Sequence, residues 1–106
     1  MKRKILHLTL KRKWFDLIAS GKKKTEYREI KEYWSKRFIT DVDCNRVDRI
    51  KFDEVHFRNG YSKSSPFMCV EWKGLDQEQF NGELHWAIRL GEILELNLNK
   101  QRYEKN

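Results

Sequence analysis

The apolar positions change period several times along the chain, and each change marks an element. Ile5 to Leu10 alternates, with Leu6, Leu8 and Leu10 on one side and Ile5, His7 and Thr9 on the other. That two-residue repeat predicts a strand with one apolar face. From Lys11 to Ser20 the repeat lengthens, and Leu10, Trp14, Leu17 and Ile18 fall on one helical stripe. Gly21 predicts the helix end, because glycine enters the left-handed cap conformation without a steric penalty. Residues 24–28 read as a short strand with Lys24, Glu26 and Arg28 on one face and Thr25 and Tyr27 on the other. Residues 30–38 return to helical spacing through Ile30, Tyr33, Trp34 and Phe38.

Residues 39–51 are polar and aperiodic and read as a loop. Phe52 to Arg58 alternates again, and Asn59-Gly60 is a strong strand-end or hairpin signal. A polar loop follows to Pro66, then a strand over Phe67–Lys73 with Met68, Val70 and Trp72 on one face. Asp76–Gly82 reads as a loop with room for one helical turn. Leu84–Leu96 forms one long strand or two, with Trp86, Ile88 and Leu90 inward and a bulge or bend at Gly91. Residues 97–106 are a polar, fraying tail. The order strand, helix, strand, helix, then several strands predicts a single α+β domain over residues 1–106, with its core in about 4–96. The expected architecture is a small, strongly bent sheet or barrel with helices packed outside it. Trp14, Leu17, Val70, Trp72, Trp86 and Ile88 are its expected core.

Composition sharpens this picture. A chain of 106 residues is one domain's worth, and 13% aromatic residues are more than a disordered chain carries. The formal net charge of +7 is unevenly spread. Residues 1–37 hold thirteen Lys or Arg against four Asp or Glu, so the positive field comes from the first third. Such a patch attracts polyanions, RNA or an acidic protein alike. No apolar leader is visible and no stretch nears the ~20 apolar residues of a membrane span, so the expectation is a cytoplasmic protein with no membrane partner.

Candidate chemistry gathers at the first helix end. Glu26 and Arg28, two apart on a strand, converge on one surface, and Lys23 leaves the helix cap toward it. Arginine offers a planar fork of donors suited to phosphate or carboxylate, and a lysine beside another cation can act as base or nucleophile. The bland alternative is a surface ion pair worth about 0–1 kcal/mol. Arg58 and Asn59 end a strand, where site residues gather, and Tyr61 stands in the next loop as a lid or anchor. Tyr33 and Trp34 offer rings for base stacking, although their helical spacing favours core packing for Trp34. Glu71, inside an apolar strand, calls for a cationic partner such as Lys23 or Arg28. Cys44 and Cys69 lack metal-ligand spacing, and Cys69 reads as a small core residue. His7, His56 and His85 lie in three separate strands with no short-range ligand spacing. Neither a metal nor a cofactor is expected.

The run Gly21-Lys22-Lys23-Lys24-Thr25-Glu26-Tyr27-Arg28 resembles the ASCH signature, G-x-K-x-x-E-x-R. Its setting is also similar: a strand, an amphipathic helix ending at the glycine, and the signature entering the next strand. Phe52-Asp53-Glu54-Val55, Arg58-Asn59-Gly60-Tyr61, the Phe67–Leu75 segment and Ile88–Leu94 extend the resemblance over roughly residues 4–96. The resemblance implies a PUA-like mixed β-barrel with two or three flanking helices and a cleft beside the signature. It implies an RNA- or modified-nucleoside-binding domain whose basic cleft uses Lys23, Glu26, Arg28, Arg58, Asn59 and Tyr61. Some small ASCH proteins are amidohydrolases that deacetylate acetylated cytidine. For this chain that alternative, or a nuclease, makes Lys23 and Glu26 the catalytic pair. In those enzymes a threonine stands where this chain has Glu26, and a second catalytic glutamate lies downstream, with Glu78 and Glu83 as candidates here.

Overall fold

The strand at the start of the chain, β1 (Ile5–Thr9), buries Leu6 and Leu8, as its alternation predicts. The computed structural model describes residues 3–43 and 46–98. After β1 come α1 (Arg12–Ala19), β2 (Thr25–Glu29), α2 (Glu32–Phe38), β3 (Ile39–Asp43), β4 (Arg46–Arg49), β5 (Glu54–Arg58), β6 (Phe67–Phe80) and β7 (Glu83–Asn97). Five strands form one mixed sheet in the order β1-β5-β6-β7-β2, parallel between β1 and β5 and antiparallel elsewhere. The fold is therefore α+β. The sheet is open, with β1 and β2 at its edges, and is not closed into the barrel that the sequence led us to expect.

One face of the sheet carries the core. Leu6, Leu8, Val55, Phe57, Met68, Val70, Leu75, Trp86, Ile88 and Leu90 pack there with Phe15 and Ile18 of α1 and Phe38 of α2. Phe15, Phe38 and Phe57 are fully buried, each contributing about 1.5–3 kcal/mol of transfer free energy. Trp86 is held edge-on against Phe38 and donates its indole N–H to the Ser35 hydroxyl at 3.2 Å. The helix-to-sheet seam is thus both apolar and hydrogen-bonded.

Four expectations are corrected. The buried stripe of α1 centres on Phe15 and Ile18, and Trp14 and Leu17 are only half-buried. The helix is two turns long, and its angle to the sheet decides which neighbouring position turns inward. Trp72 likewise packs at the margin of the core, beside Phe52. Residues 39–51 contain a two-stranded hairpin, β3 with β4, instead of a loop. Asp76–Phe80 continues β6, and only Asn81-Gly82, both at positive φ, make the turn into β7. The polar end of β6 hides from a pattern search because its side chains are exposed or only half-buried. Cys44 and the tail beyond residue 98 lie outside the described residues.

The β6–β7 ladder slips register between Cys69 and Gly74, opposite Glu95 to Arg89. Such bulges bend and twist a long hairpin. Gly91 lies in this stretch for a local reason: a Cβ there would meet Glu71 Oε1 at 2.2 Å and Lys73 Cε at 2.9 Å. Glu71 uses that space to accept the Glu92 backbone N–H at 3.3 Å and to pair with Lys73 at 3.5 Å. It does not meet Lys23 or Arg28, the partners expected from its strand position.

Candidate functional site

The end of α1 positions the first site residue. Gly21, at φ +81°, allows its N–H to bond Ile18 O at 3.0 Å and the Lys22 N–H to bond Leu17 O at 3.1 Å. This double closure is a Schellman cap, which satisfies carbonyls the helix leaves open. The Lys23 N–H also bonds Leu17 O, at 3.0 Å, so the backbone of Lys23 is fixed to the helix end. From there the chain enters β2, an edge strand paired with β7. Glu26 lies opposite Ile88 and Arg28 opposite Trp86, both core residues, so Glu26 and Arg28 project from the core face.

Glu26 is 4% exposed. A buried carboxylate carries a desolvation cost of several kcal/mol unless its charge and lone pairs are matched. Here both oxygens are matched. Lys23 Nζ donates to Oε1 at 2.8 Å, and Arg28 Nη1 donates to Oε2. Arg28 also donates to the carbonyls of Tyr27 at 3.0 Å and Thr9 at 3.2 Å. Its guanidinium thereby links the two free edges of the open sheet. Indole rings cover the cations, Lys23 Nζ lying 4.5 Å from the centre of the Trp14 ring and Arg28 Cζ 5.0 Å from that of Trp34. The result is a row: Trp14, Lys23, Glu26, Arg28, Trp34. Each cation sits between the carboxylate and an aromatic face, and each cation–π contact contributes on the order of 0.5–2 kcal/mol.

The sequence-derived cluster of Lys23, Glu26 and Arg28 is thus brought together. Spacing alone points the two framing indoles to core packing, and half-burial against a cation is what their amphipathic rings permit. Lys23 spends one of its three ammonium protons on Glu26, so the row keeps donors for an anionic or carbonyl-bearing ligand. Lys23 and Lys24 line a cavity of about 190 Å³ with Gly21, Ile18 and the Leu90–Ile93 segment. Glu26 and Arg28 are not among its lining residues.

The other predicted residues lie elsewhere. Arg58 projects from the face of β5 opposite the buried Val55 and Phe57. It stacks on Phe67 at 4.7 Å and donates to the carbonyls of Lys63 and Ser65, anchoring the loop after β5. Asn59 Nδ2 donates to Leu10 O at 2.9 Å, tying the end of β5 to the end of β1. Tyr61 is 94% exposed at the loop tip. None of the hydrogen bonds of Arg58 and Asn59 reaches Lys23, Glu26 or Arg28. Glu78 sits on the face of β2–β7–β6 opposite Glu26, where it accepts from Tyr27 Oη at 2.5 Å and Arg89 Nη2 at 2.7 Å. Those two hydrogen bonds hold its carboxyl below the usual range, and the same Tyr27–Glu78 bond pushes the phenol up. Glu83 is exposed beside the turn at Asn81-Gly82.

A basic groove has no signature in the sequence. Lys4 and His7 of the β1 edge, Lys36 and Arg37 of α2, and Ile50 and Phe52 border a cavity of about 420 Å³. On the same helix Tyr33 is 59% exposed, and Arg37 lies over its ring at 4.5 Å and donates to its hydroxyl at 2.8 Å. These residues are far apart in the chain, and only packing α2 beside β1 assembles them. Comparison with protein-family models, with curated proteins and with solved structures found no match.

Proposed function

We propose that this chain is a PUA-like ASCH domain that binds RNA or a modified nucleoside through the row of Lys23, Glu26 and Arg28. The observation that carries the reading is the buried Glu26 held between two cations, each backed by an indole. That arrangement costs desolvation energy which an apolar residue opposite Ile88 would avoid. A site where a carboxylate orients an ammonium and a guanidinium recovers that cost as recognition, because phosphate and base edges accept the donors those cations present. The groove bordered by Lys4, Lys36 and Arg37, with Tyr33 exposed nearby, supplies positive charge and a ring for a strand of RNA.

The test is a titration of wild type, Arg28→Ala and Lys51→Ala with a short RNA and with acetylated cytidine. Lys51 is exposed and lies outside the row. Arg28→Ala is expected to weaken binding by about 1–3 kcal/mol, the scale of a hydrogen bond to a charged group, and Lys51→Ala to change it far less. Equal losses would reduce the binding to nonspecific charge. The second reading, an amidohydrolase, rests on the 2.8 Å contact between Lys23 Nζ and Glu26, a base and carboxylate in proton-transfer distance. Release of acetate from acetylated cytidine, abolished in Lys23→Ala, would select it over the binding module.

A further inference from the structure

The opposite face of the sheet carries a second cluster, built from residues that the chain keeps far apart. Glu54 and His56 are two apart on β5 and so share that face, and His56 lies directly opposite Cys69 of β6. His56 Nε2 lies 3.0 Å from Glu54 Oε1, and Cys69 Sγ lies 3.2 Å from the same oxygen. The carboxylate oxygen, ring nitrogen and sulfur all fall within 4.8 Å of one another. Glu54 is 8% and Cys69 6% exposed, although they lie on the face away from the apolar core.

The register continues the pattern on both sides. His7 of β1 pairs with His56, and Glu95 of β7 pairs with Cys69. Paired residues project to the same face, so His7, His56, Cys69 and Glu95 form one row across four strands, with Glu54 in the adjoining row. The rings of His7 and His56 meet edge to face at 5.3 Å. Five side chains of metal-ligating type thus share one face, and three of them, Glu54, His56 and Cys69, bring their ligand atoms together.

We propose that Glu54, His56 and Cys69 bind a divalent ion of the zinc class. The donor set selects the ion: thiolate and imidazole suit zinc or cobalt and do not suit calcium or magnesium, which take oxygen ligands. The spacing fits as well. Bonds of about 2.0–2.3 Å at tetrahedral angles place neighbouring ligand atoms about 3.3–3.6 Å apart, close to the 3.0 and 3.2 Å separations observed here. In the metal-free protein the thiol proton and one imidazole proton point at Glu54 Oε1. When the ion enters, the thiol proton leaves to solvent and His56 carries its proton on Nδ1, so that sulfur, Nε2 and Oε1 all face the metal. Arg3, bonded to Glu54 Oε2 at 2.5 Å, stays outside and orients the carboxylate. His7 and Glu95, the ladder partners of His56 and Cys69, lie on the same face beside the three ligands.

The probe is cobalt added to zinc-depleted protein, with zinc then measured by competition against a chromophoric chelator. A thiolate-to-cobalt charge-transfer absorption is expected, saturating at about one ion per chain with release of about one proton. It should vanish in Cys69→Ser and His56→Gln and persist in Cys44→Ser. His56 is only half-buried, so His56→Gln remains a folded test if the buried Cys69→Ser variant fails to fold. Its zinc affinity should drop by more than the roughly 10–100-fold typical of losing an outer-shell partner. An absorption that survives Cys69→Ser, one that disappears in Cys44→Ser, or an unchanged zinc affinity in His56→Gln would each overturn the site.

Discussion

At the scale of single residues, this chain places two carboxylates, Glu26 and Glu54, where burial demands partners. Each obtains them by a different route. Glu26 draws Lys23 and Arg28 from its own signature, three residues before it and two after it. Glu54 draws His56 locally but Cys69 from β6 and Arg3 from the segment before β1, and its carboxyl is held low first by the hydrogen bond from His56 and then by that from Cys69. Burial pushes the Cys69 thiol up to about 12, with the Glu54 anion adding to the effect, so the free thiol is a neutral donor. A third carboxylate, Glu78, gives a pH prediction. Its folded pKa is lowered from 4.5, so its bonds to Tyr27 and Arg89 stabilise the fold above that value. The contribution is lost as pH falls through the lower, folded pKa. Urea denaturation of wild type against Glu78→Gln should therefore show a stability gap at pH 7 that closes as pH drops below about 4.5. On the alkaline side, Tyr27 is raised above 10.0 by the same bond. Its share is present below that pH and is lost as pH rises through the folded value. A gap in acid equal to that at neutral pH would show that Glu78 acts through packing instead of charge.

At the scale of elements, the junction of α1 and β2 is where sequence and site are most tightly joined. The eight residues from Gly21 to Arg28 contain the cap, the turn and the strand, so the geometry of Lys23 relative to Glu26 follows from local rules. Gly21→Ala tests this. With φ at +81° and no atom within 4 Å of the added methyl, the cost is purely conformational, about 1–2 kcal/mol for a left-handed residue with a Cβ. The expected outcome is a lower urea midpoint with an unchanged m-value, together with weaker ligand binding than wild type because Lys23 loses its fixed origin. Unchanged stability would mean that the helix end reseats without the glycine. The cap, the strand after it and the shared face of Glu26 and Arg28 are legible because each depends on neighbours within a few residues. The β3–β4 hairpin and the polar end of β6 are not. Their pairing partners, and not their own pattern, make them strands.

At the scale of the whole molecule, the charge segregation read from the sequence meets the fold. Among the first-third cations, Lys4, Lys36 and Arg37 border one groove, and Lys23 and Arg28 lie in the row beside Glu26. If this surface holds RNA, log affinity should fall linearly with log salt, with a slope of about −0.7 per phosphate neutralised on a single strand. The double variant Lys36→Ala/Arg37→Ala should make that slope shallower by about one to two phosphates, while Arg28→Ala should lower affinity across the whole series. A slope unchanged by the double variant would remove the α2 groove from the interface.

The local facts were already settled in the chain: the strand phase of β1, the C-terminal ends of the two helices, the Gly21 cap, the common face of Glu26 and Arg28, and the burial of Val70, Trp86 and Ile88. These are set by side-chain period and backbone sterics, which act over a few residues. Everything else waited on the packing of distant segments. Packing fixed Phe15 as the inward residue of α1, because the sheet supplies the surface that α1 meets. It left the sheet open with Arg28 reaching from one edge to the other, and it sent Arg58 and Glu78 to faces away from the Glu26 row. It also brought Cys69 onto His56 and Glu54, a meeting across 15 residues of chain that no spacing rule encodes. The physical reason is common to all of these. Which distant groups share a low-dielectric patch depends on strand order and register, and those are settled by how the whole set of apolar faces is buried at once.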